Sequence, residues 1–340
     1  MHNSVQYANL IIFYIFVSTN RTLKDMKNIG LIVIAASIIC ACGQNKKIEK
    51  FVPQPFPSVT IPGMITDQNE AVEYLSLHYW DGITDAERDY PSDSLIVSGV
   101  RYSDVEQKFA DWTSVLSMAT PQAVEKSVAR LYDRALACER KNSSSNVFET
   151  FNELAYKYFY DPNSPMRNED IYYHFVKRLA SYEGISLEMR DKYAYDAKMC
   201  SLNKVGTVAS DFRFADKNGK IRTLHSIEAP VILLFFSNPG CEMCYDIIQV
   251  LSSSEAISER IAAGQLAVIN IYIDEDLEGW RSYMPIYPEN WYNGFDPDLA
   301  IRSEKLYNVR AIPSLYLLDE NKKVLFKDVP EQTLFRVLGI

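Results

Sequence analysis

An apolar run at residues 231–236 leads directly into a turn and then into a helical pattern, and this junction restricts the fold more than any other stretch. The run is short, β-branched and aromatic, and Pro230 and Pro239-Gly240 bound it, so it predicts a buried strand. From Tyr245 to Leu251 the apolar residues recur at helical spacing. The sequence therefore predicts that residue 241 lies where a buried strand ends and a helix begins.

Two cysteines, Cys241 and Cys244, lie in the first turn of that predicted helix. The nucleophile in thiol–disulfide exchange is the thiolate. A helix N-terminus presents unpaired N–H groups and the positive end of the helix dipole, and both stabilise an anion there. Because only two residues separate the cysteines, they can form a disulfide without rearranging the chain. The pair predicts a redox-active dithiol.

Three other interpretations of the pair carry less weight. A structural zinc site normally needs four ligands, but Cys138 and Cys200 are solitary and the four histidines are scattered, so we expect no metal site. A purely structural disulfide that closes so short a loop would stabilise the protein little. A peroxidatic cysteine usually follows a threonine by three residues, and here that position is Asn238.

The composition restricts the class of protein. The chain has 340 residues, enough for two domains with a sizeable core, and 47% of them are hydrophobic, so it is neither disordered nor fibrous. The formal net charge is −9 and no basic patch occurs, which argues against binding nucleic acid. Six cysteines in a chain of this length do not predict a disulfide scaffold.

The N-terminal region resembles a bacterial lipoprotein signal. Met26-Lys27 starts a short positive segment, and the apolar run that follows, Ile29–Ile39, is too short to span a bilayer. Cys42 follows the small residue Ala41 and is therefore the expected lipidated residue, whereas Cys40 would be removed with the signal. An ordinary membrane anchor or a cleaved signal without lipid are the alternatives. We expect Met26 to be the true start.

These features predict four segments. They are a lipoprotein signal at 1–42, an extended Lys- and Pro-rich tether at 43–64, an all-α helical domain at 65–202 and an α/β domain at 203–340. A lipid on Cys42 places the protein in the cell envelope. We expect it to face the periplasm, on the outer rather than the inner membrane. Disulfides persist in such an exported compartment.

The helical domain is predicted from apolar stripes at a period of 3.6 residues. One stripe is Val105, Phe109, Trp112 and Leu116, and Thr120-Pro121 gives an N-cap followed by a proline in the first turn. We interpret such stripes as core and expect five to seven helices. No metal or acid–base constellation is evident in this region.

The C-terminal domain is predicted from its order of strands and helices. Gln265–Tyr272 predicts a second buried strand, and Ile312-Pro313 leads into a third at Leu315–Leu318. Asp298–Tyr307 predicts a helix. The aromatic and turn-rich segment Trp280–Phe295 predicts a loop, which either binds a substrate or partner or packs against the helical domain.

This order, with the two cysteines and Ile312-Pro313, resembles the thioredoxin fold, and within it the periplasmic proteins of the TlpA type. The whole chain is similar to a family of Bacteroidetes lipoproteins in which a helical domain of unknown function, DUF5106, precedes a thioredoxin-like domain. The fold class expected is therefore an α/β thioredoxin-like fold after a separate all-α domain. The segments that carry the resemblance are His78–Asp81, Asp161–Asn168, Gly206 with Ala209–Phe212, Asn238–Cys241 and Tyr307–Asp319.

The resemblance implies roles for further residues. Pro313 would be a cis proline facing the disulfide, and Ile312 would present its backbone to an extended substrate chain. Many thioredoxins bury a carboxylate where this chain has Phe235, and a second acid of some TlpA-type proteins falls on Ala215. Proton transfer from Cys244 would then need water or Glu242. Because a negative charge disfavours a second one nearby, Glu242 should also raise the pKa of Cys241 and favour a reducing role.

The leading hypothesis is a lipid-anchored, periplasm-facing thiol–disulfide oxidoreductase that reduces protein or peptide disulfides. Cys241 attacks, Cys244 resolves the mixed disulfide, and an upstream membrane thiol carrier supplies electrons, so no bound cofactor is needed. The alternative is a redox-inactive thioredoxin-like scaffold whose helical domain engages a partner or glycan. The missing buried acid favours the alternative.

Overall fold

The structure, a computed structural model, describes residues 51–88, 90 and 93–340. In this part of the chain a helical half precedes a half built on a seven-stranded mixed sheet, which confirms the expected fold class. Residues 51–340 form one compact unit. The predicted signal, Met26 and Cys42 lie outside the described residues.

The helical half contains six α-helices in its described part, in agreement with the expected five to seven. A short hairpin of β1 and β2 precedes the second helix, and one turn of π-helix extends the fourth, at Tyr156–Tyr160. The elements are α1 (Gln68–His78), β1 (Ile96–Val97), β2 (Val100–Arg101), α2 (Tyr102–Met118), α3 (Pro121–Lys141), α4 (Val147–Ala155), α5 (Glu169–Ala180) and α6 (Leu187–Cys200).

The predicted apolar stripes form the core of this half. Phe109 and Trp112 on α2 are fully buried, and Trp80 packs edge-to-face against Phe151 with 4.6 Å between ring centroids. Aromatic contacts of this kind add to the energy of simple apolar burial. Helix α3 begins at a capping side chain, since the hydroxyl of Thr120 accepts a hydrogen bond from the N–H of Ala123.

The C-terminal half is built on a seven-stranded sheet. Its elements are β3 (Arg213–Ala215), β4 (Ile221–Thr223), β5 (Val231–Phe236), α7 (Glu242–Ser253), α8 (Glu255–Ala262), β6 (Leu266–Tyr272), α9 (Leu277–Tyr283), β7 (Tyr292–Phe295), α10 (Ala300–Ser303), β8 (Ser314–Asp319), β9 (Val324–Phe326) and α11 (Glu331–Leu338). The strand order in the sheet is β4-β3-β7-β6-β5-β8-β9. Strand β5 pairs in parallel with β6 and antiparallel with β8.

Both faces of β5 are covered, which explains its unbroken apolar sequence. Leu233 and Phe235 pack with Cys244 and α7 on one face, and Leu234 and Phe236 pack in the core on the other face. The strand therefore ends in a rigid environment at the point where the cysteine-bearing helix starts.

Two sequence predictions in this half are wrong. Trp280–Phe295 is not a loop, because it contains the end of α9, a turn of 3-10 helix at Met284–Ile286 and strand β7. Trp280 and Trp291 are buried in the core of the sheet half rather than against the helical domain. Helix α10 covers only Ala300–Ser303 of the predicted Asp298–Tyr307 helix, and Leu299 before it and Lys305 after it adopt positive φ angles.

The part of the predicted tether that the structure describes lies against the helical half. Phe56 packs edge-to-face on Trp80 at 5.6 Å, and the N–H of Gln54 donates to the carbonyl of Gly99. None of the helices in the described ranges combines the length and the hydropathy of a membrane span.

Candidate functional site

Cys241 is the N-cap residue of α7, as the sequence predicts. Strand β5 ends at Phe236, and the chain turns through Gly240, whose φ of +73° is a conformation that glycine adopts without strain. The Sγ atom of Cys241 accepts a hydrogen bond from the N–H of Cys244 at 3.2 Å. This N–H is one of the unpaired donors at the helix start, so it stabilises negative charge on the sulfur.

Cys241 and Cys244 form a disulfide, with 5.2 Å between their Cα atoms. The two sulfurs differ in access, because Cys241 is partly exposed while Cys244 is 1% exposed. An external thiol or disulfide can therefore reach Cys241 but not Cys244. This asymmetry suits a first sulfur that reacts with a partner and a second that reacts only within the chain.

The loop before β8 lies beside the disulfide. The Ile312–Pro313 peptide bond is cis, the geometry that the resemblance implies for Pro313. The carbonyl oxygen of Ile312 lies 4.0 Å from the Sγ atom of Cys241, and Ser314 pairs with Phe236 at the end of β5. Ile312 is partly exposed and Pro313 is buried. The backbone of Ile312 is therefore next to any chain that is joined to Cys241.

The rim around Cys241 carries one acid and two apolar side chains. Glu242, Met243 and Tyr245 are all exposed, the last two to 48% and 41%. Partly buried Ile312 and Val329 pack on the same core cluster as Cys241. The surface next to the reactive sulfur is therefore mainly apolar, and Glu242 contributes a negative charge in the first turn of α7.

Neutral polar groups lie beside the position at which many thioredoxins bury an acid. Phe235 is fully buried and pairs in register with Asn270 of β6. The hydroxyl of Ser237 donates to Asn270, whose amide nitrogen donates to Asn293 at 3.1 Å. The hydroxyl of Tyr287 faces Ser237 and Asn270, and burial raises the pKa of Tyr287 to about 12. This network remains uncharged and cannot accept a proton readily.

Sequence reasoning missed this network, although one signal was present. Asn270 interrupts an otherwise apolar strand, and a buried polar group of that kind needs hydrogen-bond partners. The second expected acid position, Ala215, is buried at the pairing of β3 with β7.

The remaining cysteines do not extend the site. Cys138 and Cys200 are buried in the helical half, and burial raises the pKa of both thiols, so neither is an available nucleophile. Within the described residues no group of histidine, cysteine and acidic side chains is placed to hold a metal ion.

A pocket of about 940 Å³ lies away from the disulfide. Its lining includes Ala229, Leu266 and Ala267, which lie where β5 and β6 begin, whereas Cys241 follows the end of β5. Most of the pocket is therefore at the opposite end of the sheet, and neither Cys241 nor Cys244 lines it.

Comparison with known families places both halves. Residues 34–203 match a domain of unknown function (DUF5106), and residues 230–324 match a thioredoxin-like family. No protein with a curated description matches the chain.

Solved structures give similar results. A thioredoxin-like protein from Bacteroides caccae is 30% identical, with a TM-score of 0.73 over 85% of this chain and 99% of that one. The C-terminal domain of an uncharacterized protein from Bacteroides fragilis is 40% identical over 41% of this chain and 99% of that one, with a TM-score of 0.39. The thioredoxin domain of a thiol-disulfide oxidoreductase from Bacteroides vulgatus is 18% identical over 40% of this chain and 96% of that one, with a TM-score of 0.35.

Proposed function

The chain belongs to the DUF5106 family, with a thioredoxin-like domain after the helical one, and we propose that it is a thiol–disulfide oxidoreductase that reduces protein or peptide disulfides. One observation carries the proposal. A partly exposed Cys241 caps a helix, is bonded to a buried Cys244 and lies beside the Ile312–Pro313 loop.

The proposed reaction starts from the reduced dithiol. The Cys241 thiolate attacks one sulfur of the substrate disulfide, that S–S bond breaks, and the other substrate sulfur leaves as a thiolate that takes up a proton. The Cys244 thiolate then attacks Sγ of Cys241, which releases the second substrate thiol and forms the Cys241–Cys244 disulfide. The substrate gains two electrons and two protons. An upstream thiol reductant in the membrane would return the protein to the dithiol.

The geometry supports each step. The N–H of Cys244 stabilises the thiolate that attacks, and the burial of Cys244 keeps the resolving step within the chain. The proton of Cys244 would leave through water or Glu242, because Phe235 offers no carboxylate. An extended substrate would pair with the backbone at Ile312, and apolar residues around its cysteine would meet Met243 and Tyr245.

We extend the proposal to location. The pattern that ends in Ala41-Cys42 supports a lipid anchor on Cys42 and a periplasm-facing position, in the outer rather than the inner membrane. Mass spectrometry of the purified membrane fraction tests this. A mature N-terminus at a diacylated Cys42 is the expected result, and an unmodified N-terminus upstream of Cys42 would reject the lipoprotein proposal.

A second candidate is a binding protein in which the thioredoxin-like domain is only a scaffold and the helical domain engages a partner or glycan. The neutral surroundings of Cys244 favour it, because Phe235 and Asn270 give the resolving thiol no buried base. In that case the disulfide would be inert towards substrates.

A trapping experiment with the full chain separates the two candidates. Cys244→Ser should hold a substrate on Cys241 as a mixed disulfide that dithiothreitol releases, and wild type should reduce insulin. The matched control is the variant that also carries Cys241→Ser, which should trap nothing. If the folded Cys244→Ser variant traps nothing and wild type reduces no disulfide, the oxidoreductase proposal fails and the scaffold function is favoured.

A further inference from the structure

Five charged side chains are buried together where the helical domain meets the sheet half. They share low exposure, since none exposes more than 11% of its side chain. They are Arg167 and Glu169 from the helical domain, and Arg310, Lys327 and Asp328 from the sheet half. Arg167 and Asp328 are 161 residues apart in the sequence, but the five side chains lie side by side in the folded chain.

The helical domain holds the sheet half through two of these side chains. Glu169 accepts hydrogen bonds at 2.7 Å from Arg310 Nε and from Asn308 Nδ2, and its other oxygen lies 2.8 Å from Lys327 Nζ. Arg167 donates from Nε to the carbonyl of Asp328 at 2.9 Å and from Nη2 to the carbonyl of Val329 at 2.8 Å.

The sheet half continues these contacts to the cis-proline loop. Arg310 Nη2 lies 3.0 Å from one oxygen of Asp328, and the other oxygen accepts from the hydroxyl of Ser314 at 2.8 Å. Ser314 follows Pro313 directly, and the carbonyl of Ile312 is 4.0 Å from Sγ of Cys241. Every step from Glu169 to the reactive sulfur is thus a direct contact or a covalent neighbour.

Such a cluster is poorly explained by stability alone. Buried ion pairs lose hydration, and apolar residues of similar volume are often as stabilising or more so. Charge-assisted hydrogen bonds also fix the relative orientation of the two segments that they join, because Arg310 and Glu169 can pair in only a few orientations. The segments that the cluster orients are 310–314 and 328–329. The first borders Cys241 through Ile312, and the second is hydrogen-bonded to it and to the start of β8 through Ser314 and Leu315.

We propose that Glu169 and Arg167 of the helical domain are positioning residues for disulfide exchange: they fix the loop that contains Ile312, against whose backbone the substrate chain pairs. This inference rests on the proposed function. It gives the helical domain a defined part in the reaction, since a substrate would be held by a loop whose position depends on that domain.

The experiment compares two reductions in the full chain. Glu169→Gln and Arg167→Lys should each lower kcat/KM for a peptide disulfide about tenfold or more, mainly through KM, because small misplacements of a bound substrate are costly. The rate at which dithiothreitol reduces the Cys241–Cys244 disulfide should change less than about twofold, since a small thiol does not use the backbone of Ile312. Asp81→Asn is the matched control, because Asp81 pairs with Arg130 and His78 inside the helical domain only.

The outcomes separate the two proposals. If wild type is active and both variants keep its KM, the positioning role is refuted. If a variant slows the reduction of the peptide and the reduction of its own disulfide by dithiothreitol equally, its residue acts only through stability. If Glu169→Gln does not fold, Arg167→Lys, which keeps the charge, decides the case. A wild type that reduces no peptide refutes the proposed function, and the inference with it.

Discussion

The buried carboxyl of Asp328 should make the stability of the protein depend on pH in an unusual direction. Burial raises the pKa of Asp328 from 3.8 to about 6, because the loss of hydration and the nearby Glu169 together outweigh the attraction of Arg310 and Arg167. Asp328→Asn removes this titration and keeps a side chain of the same shape. The quantity to measure is therefore the difference in free energy of unfolding between Asp328→Asn and wild type at several pH values.

The size of the effect follows from linkage. A raised pKa means that the folded state holds the proton more tightly than the unfolded state. Its stabilising contribution is therefore complete below pH 3.8 and is lost as pH rises through about 6. At about 1.36 kcal/mol for each pKa unit, the loss amounts to about 3 kcal/mol. Between pH 4 and 7.5 the free energy of unfolding of Asp328→Asn should thus rise by about 2 kcal/mol relative to wild type, because the unfolded carboxyl is already partly ionised at pH 4.

Urea unfolding at several pH values, followed by tryptophan fluorescence, measures this difference. Trp112 in the helical half and Trp280 in the sheet half are both fully buried, so the signal reports both halves. Asp111→Asn is the control. A hydrogen bond from Lys108 lowers the pKa of Asp111. The pH dependence of the Asp111→Asn difference should therefore be complete by about pH 5 and flat above it.

Only the pH dependence is diagnostic, because any constant cost of placing an amide next to Arg310 cancels in the comparison. A difference that stays flat from pH 4 to 7.5, or a variant that loses stability relative to wild type as pH rises, would refute the reasoning. It would mean that Asp328 is ionised in the folded protein and fully compensated by Arg310 and Arg167.

Two further changes test single features of the site and the sheet. Glu242→Gln removes the charge next to Cys241, so it should move the midpoint of Cys241 alkylation by iodoacetamide to lower pH. A wild-type midpoint already near pH 4, as in strongly oxidising cysteines, would contradict this prediction. Gly294→Ala should lower the free energy of unfolding by about 1–3 kcal/mol in urea titration, because its Cβ would lie 2.6 Å from the Phe214 ring and 3.0 Å from the Ala215 carbonyl. Gly63→Ala, which also lacks a positive φ but whose Cβ would meet no neighbour, shows how much the loss of glycine's backbone freedom alone changes the free energy of unfolding.

The elements around the disulfide were predictable because their signals are local. The apolar run of β5, the turn at Gly240 and the spacing of Cys241 and Cys244 all lie within fourteen residues of sequence, and each favours the same conformation. The helices of the N-terminal half were predictable for the same reason, since an amphipathic period is visible without knowledge of the partner face.

Strand β7 was not predictable from its own residues. Tyr292-Asn-Gly-Phe295 has the composition of a turn, and it becomes a strand because Asn293 finds Asn270 on β6 and because Gly294 allows Phe214 and Ala215 to approach. Tertiary contacts thus override local preference here. The proline and aromatic residues on either side of β7 led to the prediction of a binding loop, whereas Trp280 and Trp291 fill the core of the sheet half.

The buried charge cluster was hidden for a related reason, and its position explains why the helical domain belongs to this site. Arg167 and Glu169 follow a Pro-rich stop signal, so in sequence they resemble the solvated start of a helix. Their partners are 139 residues or more away. A helical domain that served only as a spacer would need no such contacts, since apolar packing would join it to the sheet at least as firmly. Arg167 instead donates to the carbonyls of Asp328 and Val329, and the Asp328 carboxylate accepts from Ser314 in the loop that contains Ile312 and Pro313. The exchange chemistry of Cys241 should therefore depend on both domains.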